Sequence, residues 1–109
     1  GGAQGVCQIL VGQVVCDPEA GQLLNSSFMD YCMPRADVMC DIDIISNSVP
    51  TANNPLGAKG AGEAGTVGAL PAVMIAIMNA LEPLGVRELD MPATSERVWA
   101  AIRQAKPRA

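Results

Sequence analysis

Residues 54–65 read NPLGAKGAGEAG, and residues 70–81 read LPAVMIAIMNAL. The first stretch surrounds a single carboxylate, Glu63, with glycine and alanine, and glycine permits backbone conformations and close approaches that a Cβ prevents. The second stretch is apolar on nearly every face of a helix, which is typical of a helix enclosed on all sides. It is too short to cross a bilayer, for which about 20 residues are needed. The two stretches together predict a tight loop followed by a buried core helix.

The elements outside this central region are predicted to be short. Apolar residues recur at roughly helical spacing within residues 1–15, which predicts a short helix there. Thr94, or Ser95 as an alternative, is a candidate N-cap for a helix at the end of the chain. Residues 106–109 are expected to fray. Short extended segments are predicted at 23–28, at 41–46, where polar and apolar residues alternate, and at 86–91. The expected fold is α+β, with short strands, a buried central helix and a C-terminal helix.

Composition limits the partners and the chemistry of this chain. With 109 residues it forms one domain at most, and its charged fraction of 17% is below the roughly 25% typical of soluble domains. We therefore favour a segment that packs against other protein, and the start at Gly1-Gly2, without Met or a signal sequence, is what we expect of a piece of a longer chain. A net charge of −4 argues against nucleic acid as a partner. The absence of histidine excludes Ser-His-Asp and Cys-His catalysis.

The cysteines do not form a metal-binding pattern. The four are Cys7, Cys16, Cys32 and Cys40, and no C-x-x-C pair occurs among them. Zinc or iron–sulfur ligation within this chain is therefore not expected. We predict reduced, buried thiols in a cytosolic protein.

The glycine loop permits more than one interpretation from the residues alone. Residues 60–65 match G-x-G-x-x-G, the fingerprint of a dinucleotide-binding domain. That motif should follow a hydrophobic strand directly, whereas here it follows ANNPLGAK, and Lys59 precedes the cluster rather than occupying the Walker A position. Alternatively, the glycines only let the loop turn and pack, with Glu63 solvated. These interpretations stay open beside a catalytic role for Glu63.

A family resemblance favours the catalytic interpretation. Residues 57–73, GAKGAGEAGTVGALPAV, resemble the C-terminal signature of the molybdenum hydroxylases, in particular the large subunit of the aerobic carbon monoxide dehydrogenase and aldehyde dehydrogenase branch of the xanthine dehydrogenase family. Similar segments recur along the chain: GGAQG at 1–5, SFMDY at 27–31, PRAD at 34–37, LDMPAT at 89–94 and ERVW at 96–99. Ser95 and Leu70 stand where proline is usual. Residues 1–109 therefore resemble the C-terminal part of a molybdopterin-binding domain in a longer subunit.

The resemblance implies a reaction and assigns residues to it. Members of this family oxidise an aldehyde, a heterocycle or carbon monoxide with oxygen derived from water. By resemblance, Glu63 is the general base, since a carboxylate desolvated beside a cofactor accepts a proton more readily, although a helix dipole at this position would favour its charged form. The resemblance also assigns five residues to positions near the cofactor, namely Gln4, Gly5, Gly60, Ala61 and Gly62. No residue of this chain is expected to ligate the metal.

The resemblance also implies cofactors and partners. The expected cofactor is molybdopterin with molybdenum, in its cytosine dinucleotide form, with iron–sulfur clusters and FAD on partner subunits or domains. The expected partners are the remainder of the large subunit, the iron–sulfur and FAD subunits and a small-molecule substrate, in a cytoplasmic oligomer without a membrane span. The isolated chain is expected to be inactive. The alternatives are a non-catalytic packing or dimerisation segment of such a subunit, and a dinucleotide-binding domain.

Overall fold

The structure, a computed structural model, describes residues 1–105. These residues form three α-helices: α1 (Gly2–Leu10), α2 (Ala64–Leu81) and α3 (Ser95–Gln104). Single 3₁₀ turns lie at Ala36–Val38 and Glu82–Leu84. The remaining described residues form turns and irregular segments, and α1 packs directly against α2. The fraying predicted for 106–109 lies outside the described residues.

The predicted strands are wrong. Within residues 1–105 the only β-type pairing is an isolated antiparallel bridge between Cys16 and Leu23. Segments 23–28, 41–46 and 86–91 are irregular. In segment 41–46, Ile45 is 91% exposed, and the segment's backbone makes no hydrogen bond to the described part of the chain. A strand requires a neighbour that accepts and donates its ladder hydrogen bonds, and these residues offer no such neighbour.

The central helix is longer and less enclosed than predicted. It begins at Ala64 rather than at Leu70, so Pro71 lies inside the helix and not in its first turn. Proline has no N–H, so the carbonyl of Val67 lacks its usual donor at that position. Only Leu81 is buried among the residues of α2. The prediction of a buried core helix is therefore wrong for this chain, because the described residues do not include the surface needed to cover it.

Length and apolar composition alone would allow Ala64–Leu84 to span a membrane. It is the single stretch with that property within residues 1–105. One such helix is weak support for a span, because core helices of soluble proteins have the same property. The expected absence of a membrane span stays a prediction.

Glycines allow α1 and α2 to approach closely. A Cβ built on Gly5 would lie 2.7 Å from the Cβ of Ala69 and 2.8 Å from the carbonyl oxygen of Thr66. A Cβ on Gly65 would lie 2.8 Å from the backbone nitrogen of Gly2. Separations this short are incompatible with a side chain at either position. The first turn of α2 therefore lies directly against the N-terminal residues.

The predicted N-cap of the last helix is confirmed. The hydroxyl of Thr94 accepts a hydrogen bond from the backbone N–H of Arg97 at 3.4 Å. The guanidinium of Arg97 also donates to the carbonyl of Met91 at 3.1 Å. Trp99 is 63% exposed, with the Arg103 guanidinium 5.7 Å from its ring centroid. The helix is therefore capped locally, while its aromatic side chain has little cover.

The chain leaves a large surface exposed for its mass. Its accessible surface is 8895 Å², whereas a compact monomer of this mass exposes about 5,700 Å². Its radius of gyration is 18.1 Å, compared with about 13 Å for a compact domain of this length. Few apolar side chains are buried, namely Cys7, Ile9, Leu81, Val86 and Ala93. The described residues therefore have little interior of their own.

The exposed apolar surface leads to a first prediction. The isolated chain should self-associate, or bind a dye that fluoresces on apolar surfaces, because Val67 and Ile75 of α2 are 64% and 67% exposed. Size-exclusion chromatography with light scattering over a range of concentrations measures the association. A monomer at high concentration that binds no dye would contradict this expectation.

Candidate functional site

The loop that leads to Glu63 is fixed by one asparagine side chain. The Asn54 carboxamide accepts from the backbone N–H of Ala58 at 3.1 Å and donates to the carbonyl of Ala58 at 2.9 Å. The Thr51 N–H donates to the carbonyl of Gly57 at 3.1 Å. Gly57 has φ +63°, a left-handed conformation in which a Cβ would also lie 2.9 Å from the Cβ of Pro50. The chain is thus turned tightly before it reaches the glycine cluster.

The glycine cluster is open to approach from outside. Residues 58–65 are exposed, and a Cβ on Gly60 or Gly62 would have no other atom within 4 Å. Lys59 is also exposed. In the described part of the chain, these glycines leave space for another group rather than for a packed neighbour.

Glu63 lies at the N-terminal end of α2. It is the N-cap residue, and its carbonyl accepts the N–H of Val67 at 2.9 Å. Its side chain is exposed, does not cap the helix, and has no hydrogen bond or ion pair within residues 1–105. The positive end of the helix dipole favours an anion at this place. The carboxylate is therefore available to a group that binds beside it.

The structure brings the N-terminal glycines next to the Glu63 loop. A Cβ on Gly1 would lie 3.2 Å from the carbonyl oxygen of Gly62 and 3.1 Å from the backbone nitrogen of Thr66. The hydroxyl of Thr66 donates to the Gly1 carbonyl at 3.0 Å. Segments 1–5 and 60–65, which the resemblance places around one cofactor, are thus in contact at Gly1 and the first turn of α2.

The six predicted site residues occupy three different settings. Glu63 and its neighbours Gly60, Ala61 and Gly62 share one exposed turn. Gln4 is exposed on α1 and lines a groove of about 840 Å³ that does not include Glu63. Gly5 is buried against α2, where close packing already requires glycine. Cofactor binding by these residues stays a prediction.

The groove contains a pair of residues that sequence reasoning missed. Tyr31 and Cys7 both line it, and a Cβ on Gly12 would lie 2.5 Å from the Tyr31 hydroxyl. Burial, followed by the hydrogen bond to Cys7, raises the pKa of Tyr31. A glycine at position 12, within an apolar run, indicates a close neighbour, but the sequence does not show that this neighbour is Tyr31.

The cysteines are only partly as predicted. All are free thiols, but only Cys7 is buried, and its thiol donates to the carbonyl of Cys32 at 3.6 Å. The other three thiols are exposed, so the prediction that they are buried is wrong. Within residues 1–105 no group of three or more Cys, Asp or Glu side chains is arranged to hold a metal ion.

The dinucleotide-binding alternative is wrong. It required a hydrophobic strand leading directly into Gly60, but residues 40–63 contain no strand. The phosphate-binding turn of that fold also depends on the strand to aim the loop at its ligand. The G-x-G-x-x-G spacing here belongs instead to an exposed turn and the beginning of α2.

Known proteins with similar sequences are large subunits of oxidoreductases. The carbon monoxide dehydrogenase large chain of Hydrogenophaga pseudoflava is 34% identical over 96 residues, which is 88% of this chain and 12% of that protein. The nicotine 6-hydroxylase large subunit of Paenarthrobacter nicotinovorans is 37% identical over 103 residues, which is 94% of this chain and 12% of that protein. No protein-family model matches the sequence.

Solved structures agree with these relatives. Carbon monoxide dehydrogenase from Oligotropha carboxidovorans superposes with a TM-score of 0.83 at 29% identity, over 95% of this chain and 13% of that one. Quinoline 2-oxidoreductase from Pseudomonas putida 86 gives a TM-score of 0.81 at 32% identity, over 96% of this chain and 14% of that one. By sequence and by fold, this chain corresponds to a segment of the large subunit of such enzymes.

The chain matches only a small part of each relative. The chain spans only 12% of the length of the first two relatives it matches. The family resemblance drawn from the sequence is therefore confirmed, and the fold is that of a domain segment rather than a self-contained α+β domain.

Proposed function

We propose that this chain forms part of the molybdenum site of a hydroxylase and contributes Glu63 as its general base. The observation that carries the proposal is the Glu63 carboxylate, exposed and without a partner in residues 1–105, on a turn in contact with segment 1–5. The turn belongs to a backbone that resembles large subunits of molybdenum enzymes.

The residues around Glu63 fit a bulky cofactor. Gly60 and Gly62 have open space where side chains would stand, so the loop backbone allows close approach. Gln4, on the neighbouring helix, is exposed and carries both a donor and an acceptor. When bound, the molybdenum cofactor would accept the electrons that the substrate loses. In this arrangement the loop from 60 to 62 and the Gln4 carboxamide would hold the cofactor.

Glu63 would supply the proton transfer. Oxidation with an oxygen atom from water requires a base that removes a proton from that water, and this chain contains no histidine for the task. A Glu63 carboxylate oxygen would accept the proton. Cover by the rest of the subunit would exclude bulk water from the carboxylate and make it a stronger base. The helix dipole opposes this effect, so desolvation must exceed it in the assembled site.

The larger assembly is part of the same proposal. The cofactor would be the cytosine dinucleotide form of molybdopterin, with iron–sulfur clusters and FAD on partner subunits of a cytoplasmic oligomer. The names of the relatives support several subunits, since one is a complex subunit gamma, 37% identical over 83 residues, or 75% of this chain and 10% of that protein. The substrate would be carbon monoxide, a heterocycle or an aldehyde.

A packing role is the second candidate function. It is favoured by α2, which is apolar on nearly all faces yet has only Leu81 buried. In that case α2 would join other parts of the subunit or a second copy, and Glu63 would take no part in the reaction. The two candidates differ in what Glu63 does, so substitution there separates them.

Metal content tests whether the site is shared with the rest of the subunit. The complete subunit should hold about one molybdenum per chain, and the isolated chain of 109 residues should hold none in stoichiometric amount, because it supplies only one wall of the site. Inductively coupled plasma mass spectrometry after gel filtration measures both. One metal per isolated chain, or none in the complete subunit, would overturn the proposed arrangement.

A further inference from the structure

Thr66 joins the first turns of the two packed helices. Its hydroxyl donates to the Gly1 carbonyl at 3.0 Å, across 65 positions of sequence. The same carbonyl accepts the N–H of Gly5 at 3.0 Å, the first backbone hydrogen bond of α1. Thr66 lies three residues after Glu63, which places the two side chains about one helical turn apart. One hydroxyl thus links the turn that carries Glu63 to the start of the helix that carries Gln4.

The other contacts at this crossing are steric. They involve the small surfaces of Gly5 against Ala69 and of Gly65 against Gly2. These contacts limit how closely the helices approach, and none of them is a hydrogen bond between the helices. A hydrogen bond weakens steeply when its angle or length changes. The Thr66 hydroxyl is therefore well suited to set the position of α1 along α2.

We propose that Thr66 is a positioning residue, whose hydroxyl holds segment 1–5 in register with the turn carrying Glu63. The inference rests on the proposed function, in which Gln4 helps to hold the cofactor and Glu63 accepts the proton. It concerns the distance between these two groups rather than contact of Thr66 with either ligand. Small misplacements of reacting groups, on the order of 1 Å, can reduce rates by about 10²-fold.

Substitution of Thr66 with valine or with serine separates the effect of its hydroxyl from the effect of its side-chain volume. Thr66→Val keeps a β-branched side chain of similar volume and removes the donor, while the Gly1 carbonyl keeps the N–H of Gly5. Thr66→Ser keeps the donor. In the complete enzyme we expect Thr66→Val to lower kcat per bound molybdenum by about three- to tenfold, because losing one net hydrogen bond reduces the population of the correctly positioned state by up to about that factor. KM and molybdenum content should stay within about twofold, and Thr66→Ser should recover most of kcat.

Amide hydrogen exchange adds a readout that does not depend on turnover. In the Thr66→Val enzyme, peptides covering residues 2–5 should exchange faster than in the parent, because their anchor to α2 is lost. Thr51→Val is the matched control, since within residues 1–105 the Thr51 hydroxyl accepts only the local N–H of Asn53 at 3.2 Å, and the backbone hydrogen bond from Thr51 to Gly57 is kept. It should change neither kcat nor the exchange of residues 2–5.

Three results would overturn the positioning role. They are an unchanged kcat in Thr66→Val, a Thr66→Ser enzyme as slow as Thr66→Val, and a loss of molybdenum with kcat per molybdenum retained, which indicates a structural role only. Each of these leaves the proposed function standing if Glu63→Gln is inactive. A Glu63→Gln enzyme at the parent rate would instead overturn the proposed function, and with it the role of Thr66.

Discussion

Replacement of Glu63 with glutamine should lower kcat of the complete enzyme by about 10³–10⁴-fold, the upper part of the range for general bases. Glutamine keeps the shape of the side chain and removes its capacity to accept a proton. The molybdenum and pterin content should remain at the parent level, because the loop backbone at Gly60 and Gly62 is unchanged. Steady-state rates normalised to bound molybdenum measure the effect.

Glu96→Gln is the matched control for this change. Glu96 is exposed in the first turn of α3, and its substitution removes the same charge from a different helix. It should alter kcat by less than about twofold, since exposed surface substitutions have small effects. A packing role for Glu63 predicts the opposite pattern, namely less folded enzyme with full kcat per molybdenum. A molybdenum-loaded Glu63→Gln enzyme that turns over near the parent rate would exclude Glu63 as the base.

Substitution of Gly5 with alanine should have the largest effect on stability. The added Cβ would lie 2.7 Å from the Cβ of Ala69 and 2.8 Å from the Thr66 carbonyl oxygen, and neither atom belongs to a flexible side-chain end. The two helices must therefore separate, at a cost of about 1–3 kcal/mol, as in overpacked cores. Hydrogen exchange of α1 amides in the complete enzyme measures the opening free energy directly.

Gly2→Ala provides the control on the same helix. A Cβ at Gly2 would have no other atom within 4 Å, so the added methyl group should be accommodated. Alanine also has the higher helix propensity, by up to about 1 kcal/mol, so the opening free energy should be unchanged or slightly raised. Equal effects of Gly5→Ala and Gly2→Ala would show that the close crossing does not limit stability.

Local signals in the sequence predicted the ends of the fold better than its middle. The start of the last helix is predicted from Thr94, whose hydroxyl accepts the backbone N–H of Arg97, three residues further on. The apolar stretch 70–81 places the start of α2 too late, because the small residues from Ala64 to Ala69 carry little local signal for a helix, yet they form its first turns against the N-terminal glycines. Alternation at 41–46 indicates two faces of a strand, but carries no information on whether a neighbouring strand exists.

In the candidate site, the sequence alone singles out only Glu63. Glu63 stood out because a single carboxylate lies among small residues, and the family resemblance assigned it a role. Contact between Gly1 and Thr66 joins residues far apart in sequence, so no local pattern indicates it. The burial of Gly5 against α2 likewise depends on tertiary packing. Such contacts become visible only in the folded structure.

A crystal structure of the complete enzyme, with molybdenum located by its anomalous scattering, tests the central claim most directly. We predict that a Glu63 carboxylate oxygen lies within hydrogen-bond reach of the ligands around the metal, about 2.6–3.2 Å or through one water molecule. Segment 1–5 should lie on the same side of the cofactor. A structure with Glu63 at the outer surface of the subunit, out of hydrogen-bond reach of the molybdenum site, would contradict its role as the base.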